Sequence, residues 1–252
     1  ADDMTDHMQQ YPLLIYPEWD YIDEDFRKDL LSYVESGGNL LVLGPGTAAH
    51  FEKELGVRLI EKPEKRINGL AYDGWMAALN TVSQKVEPGK GVEPFARLFS
   101  THDMTDSFEI PASINSYGKG RIAATYLELG EKYVFGATTL VRDFLDGLVR
   151  KLFPDPIVKV NGSHFVDVVV SRIDGKLTVN LVNTSGAHNN DKVLTYDLIP
   201  PVGPLDITIR TGEKPQRVSV EPSGDDVPHT YGGGVVSLTL PILEIHEIIV
   251  VE

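Results

Sequence analysis

Between residues 12 and 43 two short, unbroken apolar runs enclose one amphipathic helix, and few folds accommodate that triplet. Pro12-Leu13-Leu14-Ile15-Tyr16-Pro17 is bounded by prolines and does not alternate with polar residues, which predicts a strand buried on both faces of a parallel sheet. A helix is predicted next. Asp23 is placed to cap it, Glu24 and Asp25 bring negative charge to its first turn, Phe26, Leu30, Tyr33 and Val34 recur at helical spacing, and Gly37-Gly38 ends it. Asn39-Leu40-Leu41-Val42-Leu43 then reads as a second buried strand. Strand, helix and strand with short connections form a right-handed crossover, so the sheet is expected to be parallel at its centre.

The turn after the second strand, Gly44-Pro45-Gly46-Thr47, leads into a helix through His50, Phe51 and Leu55 and a strand at Val57-Arg58-Leu59-Ile60. Turns at the carboxyl ends of parallel strands are where doubly wound sheets place ligands and nucleophiles. From Glu61 to Glu109 the apolar clusters at Trp75-Met76 and Phe95–Phe99 are separated by Pro and Gly, and short strands and loops are expected. A turn at Gly118-Lys119-Gly120-Arg121 then feeds a strand from Ile122 to Leu127. Leu140, Val141, Phe144, Leu145, Leu148, Val149 and Leu152 draw a helical stripe stopped by Pro154. Beyond Pro156 the period becomes two. Runs at 165–171, 176–182, 205–210, 217–221, 235–240 and 244–251 read as strands, with Asp174-Gly175 as a hairpin turn, and together they suggest an antiparallel β-sandwich. The expected organisation is an α/β domain at 1–155 and an all-β domain at 156–252.

Composition narrows the partners. The 252 residues carry a formal charge of −14, which repels phosphate backbones and anionic headgroups, so neither nucleic acid nor a membrane surface is expected as a partner. No apolar run approaches the roughly 20 residues of a membrane span. The absence of cysteine removes disulfides, thiolate metal sites and cysteine nucleophiles.

With these elements placed, residues 11–153 resemble class I glutamine amidotransferase-like domains, a flavodoxin-like arrangement, and look most like the trimerisation domain of certain β-galactosidases. The residues that carry the resemblance are the strand PLLIYPEW, the acid-capped helix ending in Gly-Gly, the strand NLLVLG with its glycine-flanked turn, and Tyr117-Gly118-Lys119-Gly120-Arg121-Ile122. Catalytic members of that superfamily carry a cysteine nucleophile at the turn where this chain has Gly44, Pro45 and Gly46. Proline has no N–H and a fixed φ, so the resemblance implies the fold without the activity. The β-region, through Val166-Asp167-Val168-Val169-Val170, Asp174-Gly175-Lys176, Val179-Asn180-Leu181-Val182-Asn183 and the ending Ile245–Val251, is similar to domains that close multi-domain glycoside hydrolases. Those enzymes carry a (β/α)₈ barrel, for which 252 residues leave no room. The first strand is also reached after only ten residues, one βα unit sooner than in the superfamily, which leads us to expect that the chain starts inside a domain.

Candidate ligand contacts are Glu18, Trp19 and Asp20 at the end of the first strand, and Asp73 and Trp75 in the irregular segment. Paired carboxylates suit glycoside chemistry, and Trp suits stacking on a sugar ring. Asp23 to Asp25 are accounted for by the helix start. His50, His102, Asp103 and Asp106 match no metal-ligand spacing. No catalytic residue, cofactor or metal is expected. The function these features imply is a non-catalytic accessory or oligomerisation module of a glycoside hydrolase, partnered by an upstream catalytic barrel or a homo-oligomer mate and extracytoplasmic in that setting. The alternatives are a stand-alone carbohydrate-binding or assembly protein and a residual amidotransferase-like enzyme.

Overall fold

The computed structural model describes residues 5, 7–136, 139–186 and 198–252, with the backbone alone for 134–136. The chain divides into two compact units, Ala1–Pro154 and Asp155–Glu252.

In the first unit a 3₁₀ turn at Met8–Gln10 precedes β1 (Leu13–Tyr16), α1 (Glu24–Glu35) and β2 (Asn39–Val42). Asp23 caps α1 by accepting from the amides of Asp25 (3.0 Å) and Phe26 (3.3 Å). β1 and β2 pair in parallel, with Leu14 opposite Leu40. Two short helices follow, α2 (Pro45–Ala49) and α3 (Glu52–Leu55), and then a long hairpin of β3 (Val57–Tyr72) and β4 (Trp75–Pro88). The remaining elements are β5 (Glu93–Phe95), β6 (Arg97–Phe99), β7 (Phe108–Glu109), β8 (Ala112–Tyr117), β9 (Gly120–Thr125), α4 (Gly130–Gly136) and α5 (Thr139–Leu152).

Five of these strands form a sheet in the order β1-β2-β9-β8-β5. β1, β2 and β9 run parallel, whereas β8 is antiparallel to both β9 and β5. The sheet is therefore mixed, parallel on one side only. β2 lies between β1 and β9, and its alternate residues feed two cores. Leu40 and Val42 join Leu30, Tyr33 and Val34 of α1. Leu41 joins Val141, Phe144 and Leu148 of α5. A partly buried Arg27–Glu54 ion pair (2.9 Å) ties α1 to α3, and Arg27 Nε also donates to the His50 carbonyl (2.7 Å).

The segment expected to hold short strands and loops instead contains the β3–β4 hairpin, which builds a second sheet in the order β4-β3-β6-β7. Its turn is Asp73-Gly74, both at positive φ (50° and 81°), the conformation that a two-residue hairpin with right-handed strand twist requires. A register shift separates Ile60 from Glu64. One face of this sheet is buried through Leu70, Leu79 and Leu98. The exposed, charged stretch Glu61–Lys65 crosses that shift: Glu61 stands at positive φ (65°), and pairing with β4 resumes at Glu64 and Lys65, opposite Ser83 and Val82.

The second unit contains β10 (Val158–Asn161), β11 (Val166–Ile173), β12 (Lys176–Asn183), β13 (Leu205–Arg210), β14 (Val218–Glu221), β15 (Asp225–Asp226), β16 (His229–Gly232), β17 (Val235–Leu240) and β18 (His246–Val251). They form two antiparallel sheets, ordered β10-β13-β17-β16 and β11-β12-β18-β14-β15. Leu205, Ile207, Ile209, Val236 and Leu238 of one sheet share a core with Leu177, Val179, Leu181, Val218 and Ile249 of the other. Alternation explains the packing, since the residues between these face outward. The architecture is thus a mixed α/β unit followed by a sandwich-like β unit.

Candidate functional site

The C-terminal ends of the three parallel strands open onto one cleft of about 410 Å³, lined by Glu18, Trp19, Asp20, Tyr21, Gly44, Pro45, Gly46, Thr47 and Glu128. The loop after β1 supplies residues 18–21, the turn after β2 supplies 44–47, and the segment after β9 supplies Glu128. Parallel strands end at the same edge, so their following turns meet there.

The turn after β2 is shaped by Gly44, at φ 86° and ψ 153°, a conformation that favours glycine. Pro45 follows at the first position of α2 and is buried. The Gly44 amide donates to Thr125 Oγ1 (2.9 Å). The space above this turn is filled by the neighbouring loop. A β-carbon at Gly44 would meet Glu18 Cγ at 2.8 Å, and one at Gly46 would meet Asp20 Oδ1 at 2.0 Å. Glu18 Oε1 in turn accepts from the amides of Leu129 and Gly130, the latter at 2.9 Å. The chain's own carboxylate thus answers the amides at this edge of the sheet.

Side chains pin the backbone of the 18–21 loop. Thr47 Oγ1 accepts from the Trp19 amide (3.1 Å) and donates to the Trp19 carbonyl (3.2 Å). His50 Nε2 donates to the Asp20 carbonyl (2.7 Å), and the Tyr16 hydroxyl donates to the Tyr21 carbonyl (2.9 Å). The Trp19 and Tyr21 side chains nevertheless remain exposed, at 63% and 71%. Glu128 has a raised pKa, first because it loses hydration and then because Glu18 and Asp20 place negative charge nearby; Lys65 opposes this in part.

Of the residues singled out from sequence, Glu18, Trp19, Asp20, Gly44, Pro45 and Gly46 meet in this cleft. Asp73 and Trp75 are elsewhere, at the tip of the β3–β4 hairpin. Beside that tip Tyr72 packs against Phe95 and Phe144, with ring centroids 5.3 and 6.2 Å away. Tyr21, Thr47 and Glu128 complete the lining and were not anticipated as ligand contacts. The position of Glu128 is informative only once β9 is known to pair with β2: it then follows the third parallel strand as Glu18 follows the first. Asp103 and Asp106 serve local turns: Asp103 Oδ1 accepts from Thr105 N (2.8 Å) and Asp106 Oδ2 from Thr101 Oγ1 (3.2 Å). Among the described residues no group of three or more His, Cys, Asp or Glu side chains is arranged to hold a metal ion, and no helix is long and apolar enough to cross a membrane.

Chemically, the cleft offers carboxylate acceptors, two aromatic surfaces and backbone. The Thr47 hydroxyl is engaged on both its donor and acceptor sides. The arrangement can hold a ligand.

No protein-family model matches the chain, and none of the curated proteins matches it. Solved structures do. The chain is similar to α-L-fucosidase isoenzyme 2 from Paenibacillus thiaminolyticus, with a TM-score of 0.78 at 14% identity, covering 97% of this chain and 41% of that one. It is also similar to the GH42 β-galactosidase Gan42B of G. stearothermophilus (TM-score 0.62, 16% identity, 98% and 32% covered). A third is the β-galactosidase from Bacillus circulans sp. alkalophilus (TM-score 0.62, 13% identity, 96% and 33% covered). Both units together have a fold found within glycoside hydrolase chains, and the chain spans about a third to two fifths of the length of these proteins.

Proposed function

We propose that the chain is the non-catalytic accessory or oligomerisation module of a glycoside-hydrolase-type protein acting in carbohydrate metabolism. In this reading its α/β unit is a degenerate amidotransferase-like, flavodoxin-like domain that docks on a catalytic barrel or on a second copy. The observation that carries it is the turn after β2, where Pro45 opens α2 and Glu18 accepts from the Leu129 and Gly130 amides; on the amidotransferase-like reading Pro45 takes the nucleophile's place. The fold shared with parts of a fucosidase and of β-galactosidases supports the glycoside hydrolase setting.

Assaying the purified chain alone against nitrophenyl galactosides, fucosides, glucosides and mannosides tests the reading. No turnover is expected. Robust hydrolysis abolished by Asp20→Asn or Glu128→Gln would overturn it, because the cleft would then be an active site.

A further inference from the structure

The 18–21 loop joins two properties that rarely coincide without a ligand. Its backbone is fixed by Thr47, His50 and Tyr16, yet its two aromatic side chains stand in water. A single exposed aromatic residue calls for no explanation. Here two border one cleft of about 410 Å³, a size within the roughly 300–1,000 Å³ range of small-ligand sites. Asp20 and Glu128 line the same cleft, and their carboxyl oxygens offer hydrogen-bond acceptors.

We infer that this cleft binds a neutral oligosaccharide of at least two pyranose units and holds it without cleaving it. The apolar faces of the sugar rings lie against Trp19 and Tyr21, and ring hydroxyls donate to Asp20 and Glu128. The ligand must be rich in donors because the carboxyl groups lining the cleft are acceptors. It must lack negative charge because Glu18, Asp20 and Glu128 crowd the same edge. Uronic, sulfated and phosphorylated sugars are therefore excluded. An alkylammonium group also suits aromatic and acidic surroundings, but it is best held by rings converging on one point. Among the described residues no ring contact joins Trp19 to Tyr21, and two separate platforms suit successive units of an extended chain. Fixing the loop before binding removes the ordering cost that weakens ligand capture by mobile segments. The inference goes beyond the accessory-module reading, since it needs no barrel and is tested without measuring hydrolysis.

The test uses the full chain carrying Trp75→Phe, which leaves Trp19 as its single tryptophan. Lactose, cellobiose, mannobiose and xylobiose are titrated while Trp19 emission is followed, with digalacturonate and tetramethylammonium as controls and calorimetry as a second readout. A saturable change with at least one neutral disaccharide is expected, with no response to digalacturonate. Tyr21→Ala, which removes an exposed ring and keeps the backbone bond to Tyr16, is expected to weaken binding about tenfold. Trp19→Ala, read by calorimetry, is expected to do at least as much. Three outcomes would each overturn the inference: no saturable response to any neutral disaccharide, binding of digalacturonate or tetramethylammonium as tight as the best sugar, or sugar binding that survives both aromatic substitutions.

Discussion

Replacing Glu18 tests whether the chain's own carboxylate has taken over the amides at the carboxyl edge of the sheet. Glu18 Oε1 accepts two backbone N–H bonds, from Leu129 and Gly130, and a hydrogen bond to a charged group contributes about 1.5–3 kcal/mol. Gly130 is exposed, so water replaces part of what Glu18→Ala removes. The substitution also relieves repulsion with Glu128. The balance is a loss of about 2 kcal/mol for Glu18→Ala and about 1 kcal/mol for Glu18→Gln, which keeps an acceptor and loses the charge. With two units, unfolding must be followed one unit at a time. Both tryptophans, Trp19 and Trp75, lie in the first unit, so their fluorescence in a urea titration reports that unit alone. A loss of about 2 kcal/mol moves the midpoint down by about 1 M for a slope near 2 kcal/mol/M. The same charge raises the pKa of Glu128, so Glu18→Gln should also bring the Glu128 titration, read by carboxyl carbon NMR, back toward its ordinary value. An unchanged urea midpoint in Glu18→Ala, or an unmoved Glu128 titration in Glu18→Gln, would refute the reasoning.

Tyr126 is fully buried, with a pKa pushed up to about 12 by burial against the opposing effect of its hydrogen bond with Ser113. The unfolded chain releases this proton near pH 10.0, so the folded state loses stability as pH rises from there toward 12, by about 1.4 kcal/mol per unit. Tyr126→Phe should flatten that alkaline decline at a neutral-pH cost of about 1 kcal/mol for the stranded Ser113 hydroxyl, as paired urea midpoints at pH 8 and 11 will show. In the second unit the Asn183 amide donates to the carbonyls of Pro200 (2.9 Å) and Glu244 (2.7 Å), and its oxygen accepts from Ser185 N (2.9 Å). Asn183→Ala should destabilise that unit by about 2–3 kcal/mol, visible in far-UV circular dichroism and absent from the tryptophan transition.

The β1–α1–β2 crossover was legible because Leu13–Tyr16 and Leu40–Val42 are apolar and Asp23 and Gly37 mark the ends of the helix between them. Burial was read correctly for β2 alone: β1, expected to be covered on both faces, is the edge strand of the sheet, with no strand on its outer side among the described residues and Ile15 half exposed. The alternation after Pro156 likewise mirrors strands with one buried face. The β3–β4 hairpin was not legible as a run, since Glu61–Lys65 is charged and exposed and contains a register shift, after which pairing with β4 resumes at Glu64. Its strongest sign was Asp73-Gly74, which looked like a polar patch beside Trp75 and is in fact the turn. At the cleft, Glu18, Trp19 and Asp20 could be placed from their position after a buried strand. Glu128 could not, because which strand lies beside β2 is decided by long-range pairing with β9. Sequence also could not distinguish a carboxylate that waits for a ligand from one that has bound its own backbone, and Glu18 is the second kind.

The insertion of β9 between β2 and β8 has a kinetic consequence. β1 and β2 can associate across a single helix, β3 and β4 share a two-residue turn, and β8 and β9 are adjacent in sequence. The contact of Asn39 with Arg121 spans some eighty residues and must wait for a large loop to close, which is slow. Until it does, β2 presents Leu40, Leu41 and Val42 along an open ladder, the form of edge most inclined to recruit a strand from another molecule. Crowding of nascent chains during that interval, and not the stability of the finished sheet, then sets the yield of soluble protein, which should rise with slower synthesis and lower temperature.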